Sequence, residues 1–180
     1  MDKTFQKFPR AGVDLSPLGF ELRADAAPYF CTPKGARILG WAGVDGIHYC
    51  TVRGSGSRIF AVSPMNAAPE CVHPIAESSE DFLRLLLACG DAAVLEQSWQ
   101  WDEAQFSAFL NENPPTDEQK AALSELSRRM RLTPMPKPWR YLRALQASFP
   151  PAEKPSPRLA QREAFDCGLL LSPRSRGRFR

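Results

Sequence analysis

The sequence lacks the short motifs that identify the common catalytic and nucleotide-binding folds. It contains no G-x-S-x-G elbow, no P-loop and no G-x-G-x-x-G fingerprint. The pair Gly54-x-Gly56 has no third glycine and no strand–turn–helix context, so it predicts a hairpin turn instead. The residues alone therefore do not indicate a reaction.

Histidine is scarce, and the cysteines form no C-x-x-C pair. There are two histidines and five cysteines, an odd number, and Cys89 lies in an apolar run where a reduced thiol acts as a small hydrophobic group. This usage favours a reducing compartment. The first residues lack the apolar core of a secretory signal, and no apolar run approaches the roughly 20 residues of a membrane span. We expect a cytoplasmic protein without a membrane partner.

Charge divides the chain into two parts. The 180 residues suffice for one well-buried domain and carry a net charge of +3. Residues 150–180 hold seven basic and three acidic side chains, which leaves a net charge of −1 for residues 1–149. We predict a single domain over 1–149 and a basic, Pro- and Arg-rich, mostly disordered tail over 150–180. Weak nucleic-acid binding by this tail is an alternative function.

The apolar pattern predicts an α+β fold, with a mostly antiparallel sheet of four or five strands followed by a helical half. The tight-turn signal Asp45-Gly46 separates two alternating segments, and the other connections are also short enough to favour antiparallel pairing. The strands are predicted at residues 36–41, 47–52, 58–62 and 72–75, with a weaker candidate at 18–23.

From Ser78 onward the pattern becomes helical. Ser78 can cap a helix over residues 79–89, the most apolar run of the chain, and Gly90 can end it. Because nearly every face of this helix is apolar, we expect it to form the centre of the core. Further helices are predicted at residues 92–97, 103–111, 117–131 and 139–149.

One pattern resembles a metal site. His48-x-Cys50 and Cys71-x-His73 place residues two apart on predicted strands, where they share a face and could form a Cys2His2 zinc site. The alternative is that the cysteines pack inside and the histidines make ordinary hydrogen bonds. The C-x₂₋₄-C spacing of structural zinc sites is missing, so we favour the alternative and predict no metal, no cofactor and no catalytic residue.

Two tryptophans and two acids lie together between predicted helices. Trp99 and Trp101, with Asp102 and Glu103, have the composition of a protein-binding hot spot, an aromatic anchor with an acidic border. The alternative is that one tryptophan belongs to the core, the other is half-covered, and the acids stabilise a helix start. These four residues are our candidate partner-binding site.

Residues 36–98 resemble the SUKH superfamily. The resemblance lies in the hairpin at 41–49, the strand and turn at 59–65, and the run from Val72 to Leu83 that ends in Ser-x-x-Asp-Phe-Leu. It implies an α+β fold with a mostly antiparallel sheet packed by helices. Bacterial members of this superfamily are largely immunity proteins that bind toxins, and others are adaptors.

The resemblance also implies a function without catalysis. We expect a protein-binding module that neutralises a partner, such as a toxin domain, by covering its active face. None of the binding residues of the superfamily can be matched to a position of this sequence. The four candidate residues therefore rest on their composition alone.

Overall fold

The computed structural model confirms the predicted α+β class. It describes residues 12–22, 27–67 and 70–149, so the predicted tail at 150–180 lies outside the described residues. The strands are β1 (Ala36–Trp41), β2 (His48–Val52), β3 (Ile59–Val62) and β4 (Val72–Ala76). The helices are α1 (Ser79–Cys89), α2 (Ala92–Gln97), α3 (Glu103–Glu112), α4 (Asp117–Met130) and α5 (Pro138–Ala147).

The four strands form one antiparallel sheet in the order β1-β2-β3-β4. Asp45 and Gly46 make the predicted hairpin turn with positive φ angles of 52° and 67°. Pro74 lies in β4, an edge strand, where its missing N–H interrupts no inner ladder. Of the weaker candidate at 18–23, the described part contributes only the bridge between Glu21 and Trp41.

Helix α1 has the predicted ends. The Ser78 hydroxyl accepts a hydrogen bond from the Asp81 backbone N–H at 3.1 Å, and Gly90 adopts a left-handed φ of 79°. Between these ends the apolar side chains are almost completely buried, as expected for the centre of the core: Phe82, Leu83, Leu85 and Leu86.

Both faces of the sheet are covered. One face packs against the helices, where the Phe20 ring contacts Tyr49 at 5.5 Å and Phe82 at 5.2 Å between centroids. The other face carries a second, smaller core, in which the Phe60 ring meets Phe149 at 5.6 Å. Because both faces are buried, every residue of β3 and β4 is buried. Across the described ranges, no helix is both long and apolar enough to cross a membrane.

The contact between Gly40 and Phe20 generates a testable prediction. A Cβ built at Gly40 would lie 2.6 to 2.9 Å from three ring atoms of Phe20, so a side chain cannot be added without moving the ring. We expect Gly40→Ala to lower the free energy of unfolding by about 1–3 kcal/mol, the usual cost of overpacking. Urea denaturation measures this change.

The control is the same substitution in a Phe20→Leu background. Leucine lacks the three ring atoms that would collide, so the cost of Gly40→Ala should be smaller there than in the native background. If the losses in unfolding free energy of the two substitutions simply add, the collision with the Phe20 ring is not the reason that glycine is required at position 40.

Candidate functional site

Trp99 lies in a short 3-10 turn, Ser98–Gln100, that follows α2. Its indole ring stacks on the His73 imidazole, with centroids 4.3 Å apart and planes 14° from parallel. The Trp99 carbonyl accepts a hydrogen bond from the Arg143 guanidinium of α5 at 3.3 Å. Trp99 is half-buried, so one part of the ring joins the helices to β4 and another part stays accessible.

Trp101 packs between helices. Its ring stacks on Phe109 of α3 at a centroid distance of 4.8 Å and also contacts Phe106 at 6.3 Å. The Trp139 indole N–H of α5 donates a hydrogen bond to the Trp101 carbonyl at 3.4 Å. Trp101 therefore has a structural role at the α3–α5 junction, and it is also only half-buried.

The two acids of the predicted site both have partners within the chain. Asp102 forms a capping box with Gln105: each side-chain oxygen accepts the other residue's backbone N–H, at 2.8 and 3.0 Å. The Glu103 carboxylate lies 3.7 Å from the Arg140 guanidinium, and both side chains are exposed. With Arg140 and Arg143 beside it, the site has mixed charge. Its role in partner binding stays a prediction.

His48 and His73 occupy opposite faces of the sheet. His48 pairs with Val62, and Val62 pairs with Val72, so these three share the face of the second core. His73 follows Val72 directly and therefore points to the helical face, against Trp99. The four residues of the metal-like pattern thus do not converge. In the described part of the chain, no group of three or more His, Cys, Asp or Glu side chains could hold a metal ion.

The His48 side chain stabilises the first hairpin through two hydrogen bonds. Its Nδ1 lies 2.8 Å from the Gly46 carbonyl and its Nε2 lies 3.0 Å from the Thr32 hydroxyl. Burial lowers the pKa of His48, which favours the neutral ring. Since a carbonyl only accepts, Nδ1 donates to Gly46 and the neutral Nε2 accepts from Thr32. These bonds hold the hairpin tip against the segment that contains Thr32.

Four exposed apolar side chains lie towards the end of the sheet where this hairpin turns. Val44 is in the hairpin tip, Met65 is in the β3–β4 loop, and Leu22 follows the residue bridged to Trp41. The Tyr29 ring packs against Trp41 at 5.6 Å. We call these four residues the apolar rim, with exposed fractions of 52% for Leu22, 42% for Tyr29, 63% for Val44 and 72% for Met65.

Sequence reasoning did not identify the apolar rim. The only local signal was a large apolar residue inside a turn, Val44 before Asp45-Gly46 and Met65 after Pro64. Strand register brings the hairpin and the β3–β4 loop to this end, because Trp41 pairs with His48 and His48 with Val62. The other two segments are placed there by the Glu21–Trp41 bridge and by the Tyr29–Trp41 ring contact.

One carboxyl group lies inside the protein on the helical face. Glu96 of α2 is only 5% exposed and lies near the Tyr49 ring and Ser63. Burial raises the pKa of Glu96, and a hydrogen bond with the Ser63 side chain partly opposes this effect. The Tyr49 hydroxyl is buried and has no hydrogen-bond partner among the described residues. This cluster is enclosed by the core, so we assign it to the fold.

Comparisons with known proteins identified no relative of this chain. No protein-family model matches the chain, and no curated protein and no solved structure matches it significantly. The resemblance to the SUKH superfamily therefore stays a prediction. The function has to be argued from the geometry of this chain.

The buried Glu96 predicts a pH-dependent stability. Because its pKa in the folded protein lies above the ordinary value of 4.5, ionisation at neutral pH destabilises the fold. We expect Glu96→Gln to raise the free energy of unfolding at pH 7. The gain should shrink below about pH 4.5, where glutamate is protonated in both states. Thermal or urea unfolding from pH 4 to pH 7 measures it.

The matched control is Glu112→Gln at an exposed position of α3. It should change stability little at either pH, because an exposed charge is well solvated. A loss of stability in Glu96→Gln at neutral pH would contradict the prediction and would give the carboxylate a favourable structural role.

Proposed function

We propose that this chain is a non-enzymatic protein-binding module and that its partner binds at the apolar rim. The observation that carries the proposal is the exposure of Leu22, Tyr29, Val44 and Met65 at one end of the sheet. Elsewhere in the described residues, large apolar side chains are buried or half-buried. An apolar cluster that a protein leaves in water is typical of an interaction surface.

Two parts of the rim, Tyr29 and the hairpin tip that carries Val44, are held by contacts within the chain. Tyr29 contacts both Trp41 and His48, with ring centroids 5.6 and 6.1 Å away. His48 in turn fixes the hairpin tip through its hydrogen bond to Gly46. A surface that is already ordered loses little conformational entropy on binding, so more of the contact energy becomes affinity.

The predicted aromatic site begins at the same end of the sheet. Trp99 stacks on His73, one residue after the start of β4, and the β4 start is joined to the loop that carries Met65. A partner on the rim can therefore extend toward Trp99. The exposed Glu103 and Arg140, which follow Trp101 in the helices it joins, would influence specificity and association rate more than affinity.

The resemblance to the SUKH superfamily supports one class of partner. A toxin domain in a bacterial cytoplasm would be neutralised by occlusion, since a rigid apolar surface can cover an active face without chemistry. The rim would supply the central contacts, and the surrounding charges would discriminate against wrong partners.

The test combines partner capture with rim variants. The full chain is immobilised, exposed to a lysate of its source organism, and the retained proteins are quantified by mass spectrometry. We expect one protein in stoichiometric amount. The purified partner should bind the Val44→Asp, Met65→Asp double variant about 100-fold more weakly than it binds the native chain. Two central apolar contacts are lost in this variant, and two charges are desolvated on binding.

The matched control is the double variant Ala121→Asp, Ser124→Asp, which adds the same two charges at exposed positions of α4. It should leave the affinity unchanged, and both variants should keep the native melting temperature. A Trp99→Ala arm tests whether the aromatic site takes part. Equal affinity of the rim variant and the control would refute the rim, and failure to retain any stoichiometric partner would count against the whole proposal.

A further inference from the structure

A cavity of about 340 Å³ lies at the opposite end of the sheet from the apolar rim. It is bounded by β1 and β2, by the turn between β2 and β3, and by the first residue of α1. Two arginines, Arg37 and Arg53, contribute to its wall. Among the described residues that line it, none is acidic.

Strand register brings the two arginines to one face. Arg37 of β1 pairs directly with Thr51 of β2, and Arg53 lies two residues after Thr51. Side chains two residues apart on an extended chain point the same way, so both guanidinium groups belong to the same side of the sheet. Both arginines are exposed. The cavity wall therefore carries two guanidinium groups.

One acid close to this end of the chain segment is already paired. Glu77 forms an ion pair with Arg58 at 3.0 Å, and Arg58 follows the β2–β3 turn. In contrast, the guanidinium of Arg53 makes no hydrogen bond or ion pair with any described residue. A charge-bearing cavity with this composition favours an anionic ligand.

The β2–β3 turn adds exposed main chain to the cavity. Gly54 and Gly56 both line it, with positive φ angles of 92° and 67°, and a Cβ at either position would meet nothing within 4 Å. The glycines thus reflect backbone conformation and leave open space beside the main chain. The lining also contains three hydroxyl groups, those of Thr51, Ser57 and Ser79.

We infer that this cavity binds the phosphoryl group of a small phosphorylated compound, between Arg37 and Arg53. Guanidinium groups match phosphate geometry and donate charge-assisted hydrogen bonds, and hydroxyls supply further donors. The volume exceeds that of an inorganic ion and lies within the usual range for small-molecule sites. This site is separate from the apolar rim and does not depend on the protein-binding proposal.

Isothermal titration calorimetry of the full chain tests the inference, in buffer with about 150 mM salt to suppress non-specific attraction. The probes are ADP, inorganic pyrophosphate and adenosine. We expect saturable binding of ADP and no binding of adenosine, because the phosphoryl group is the recognised part. Pyrophosphate binding would show that the phosphates suffice, and ADP binding alone would show that an organic part is also required; either result supports the site.

Two variants test whether ADP binds in this cavity. Arg37→Gln and Arg53→Gln should each weaken ADP binding roughly tenfold or more, since each removes charge-assisted hydrogen bonds. Arg128→Gln, at an exposed position of α4, is the matched control and should bind ADP as the native chain does. All three positions are exposed, and unchanged melting temperatures would establish that the variants fold.

Three outcomes would overturn the inference. The first is no saturable binding of ADP or pyrophosphate at millimolar concentration. The second is adenosine binding as tightly as ADP, which would remove the role of the phosphoryl group. The third is ADP binding that both cavity variants leave unchanged, which would place the ligand elsewhere on the chain.

Discussion

The fold depends on the burial of helix α1 against the antiparallel sheet. Phe82 and Leu85 are fully buried, and the Phe82 ring contacts Phe20 and Tyr49 on the sheet side. Fully burying one such side chain contributes roughly 1.5–3 kcal/mol. The opposite side of α1 is also occupied, because the Met135 backbone N–H donates to the Arg84 carbonyl at 2.9 Å. An apolar helix covered in this way holds the later helices and the sheet together.

The sheet register determines where the candidate surfaces lie. The pairs Trp41–His48 and His48–Val62 bring a hairpin tip, a loop and two other segments to one end, where the apolar rim forms. The pair Arg37–Thr51 lies at the other end, where Arg37 and Arg53 line a cavity. The two ends therefore differ in chemistry: one is suited to an apolar protein surface, and the other to a small anion.

The aromatic site at Trp99 and Trp101 illustrates why composition is ambiguous evidence. Tryptophans beside acids occur both in binding surfaces and in helix junctions, and the local sequence is the same in each case. Here Trp101 is packed by Phe109 and bonded to Trp139, and Glu103 faces Arg140, residues that lie up to about forty positions away. These contacts show that the segment joins helices.

Local signals in the sequence determined the elements and their ends. The capping residues Ser78, Asp102 and Thr116 act on backbone groups within three residues, and the turn at Asp45-Gly46 depends on φ angles of the same two residues. These signals and the short connections predicted the α+β class and a mostly antiparallel sheet of four or five strands, of which the structure has four. Only the tertiary structure decided that His48 and His73 face opposite sides, that Val44 and Met65 share one end, and that Arg37 and Arg53 flank a cavity. Such outcomes depend on strand register and on contacts between distant segments, and neither is encoded within a short stretch of chain.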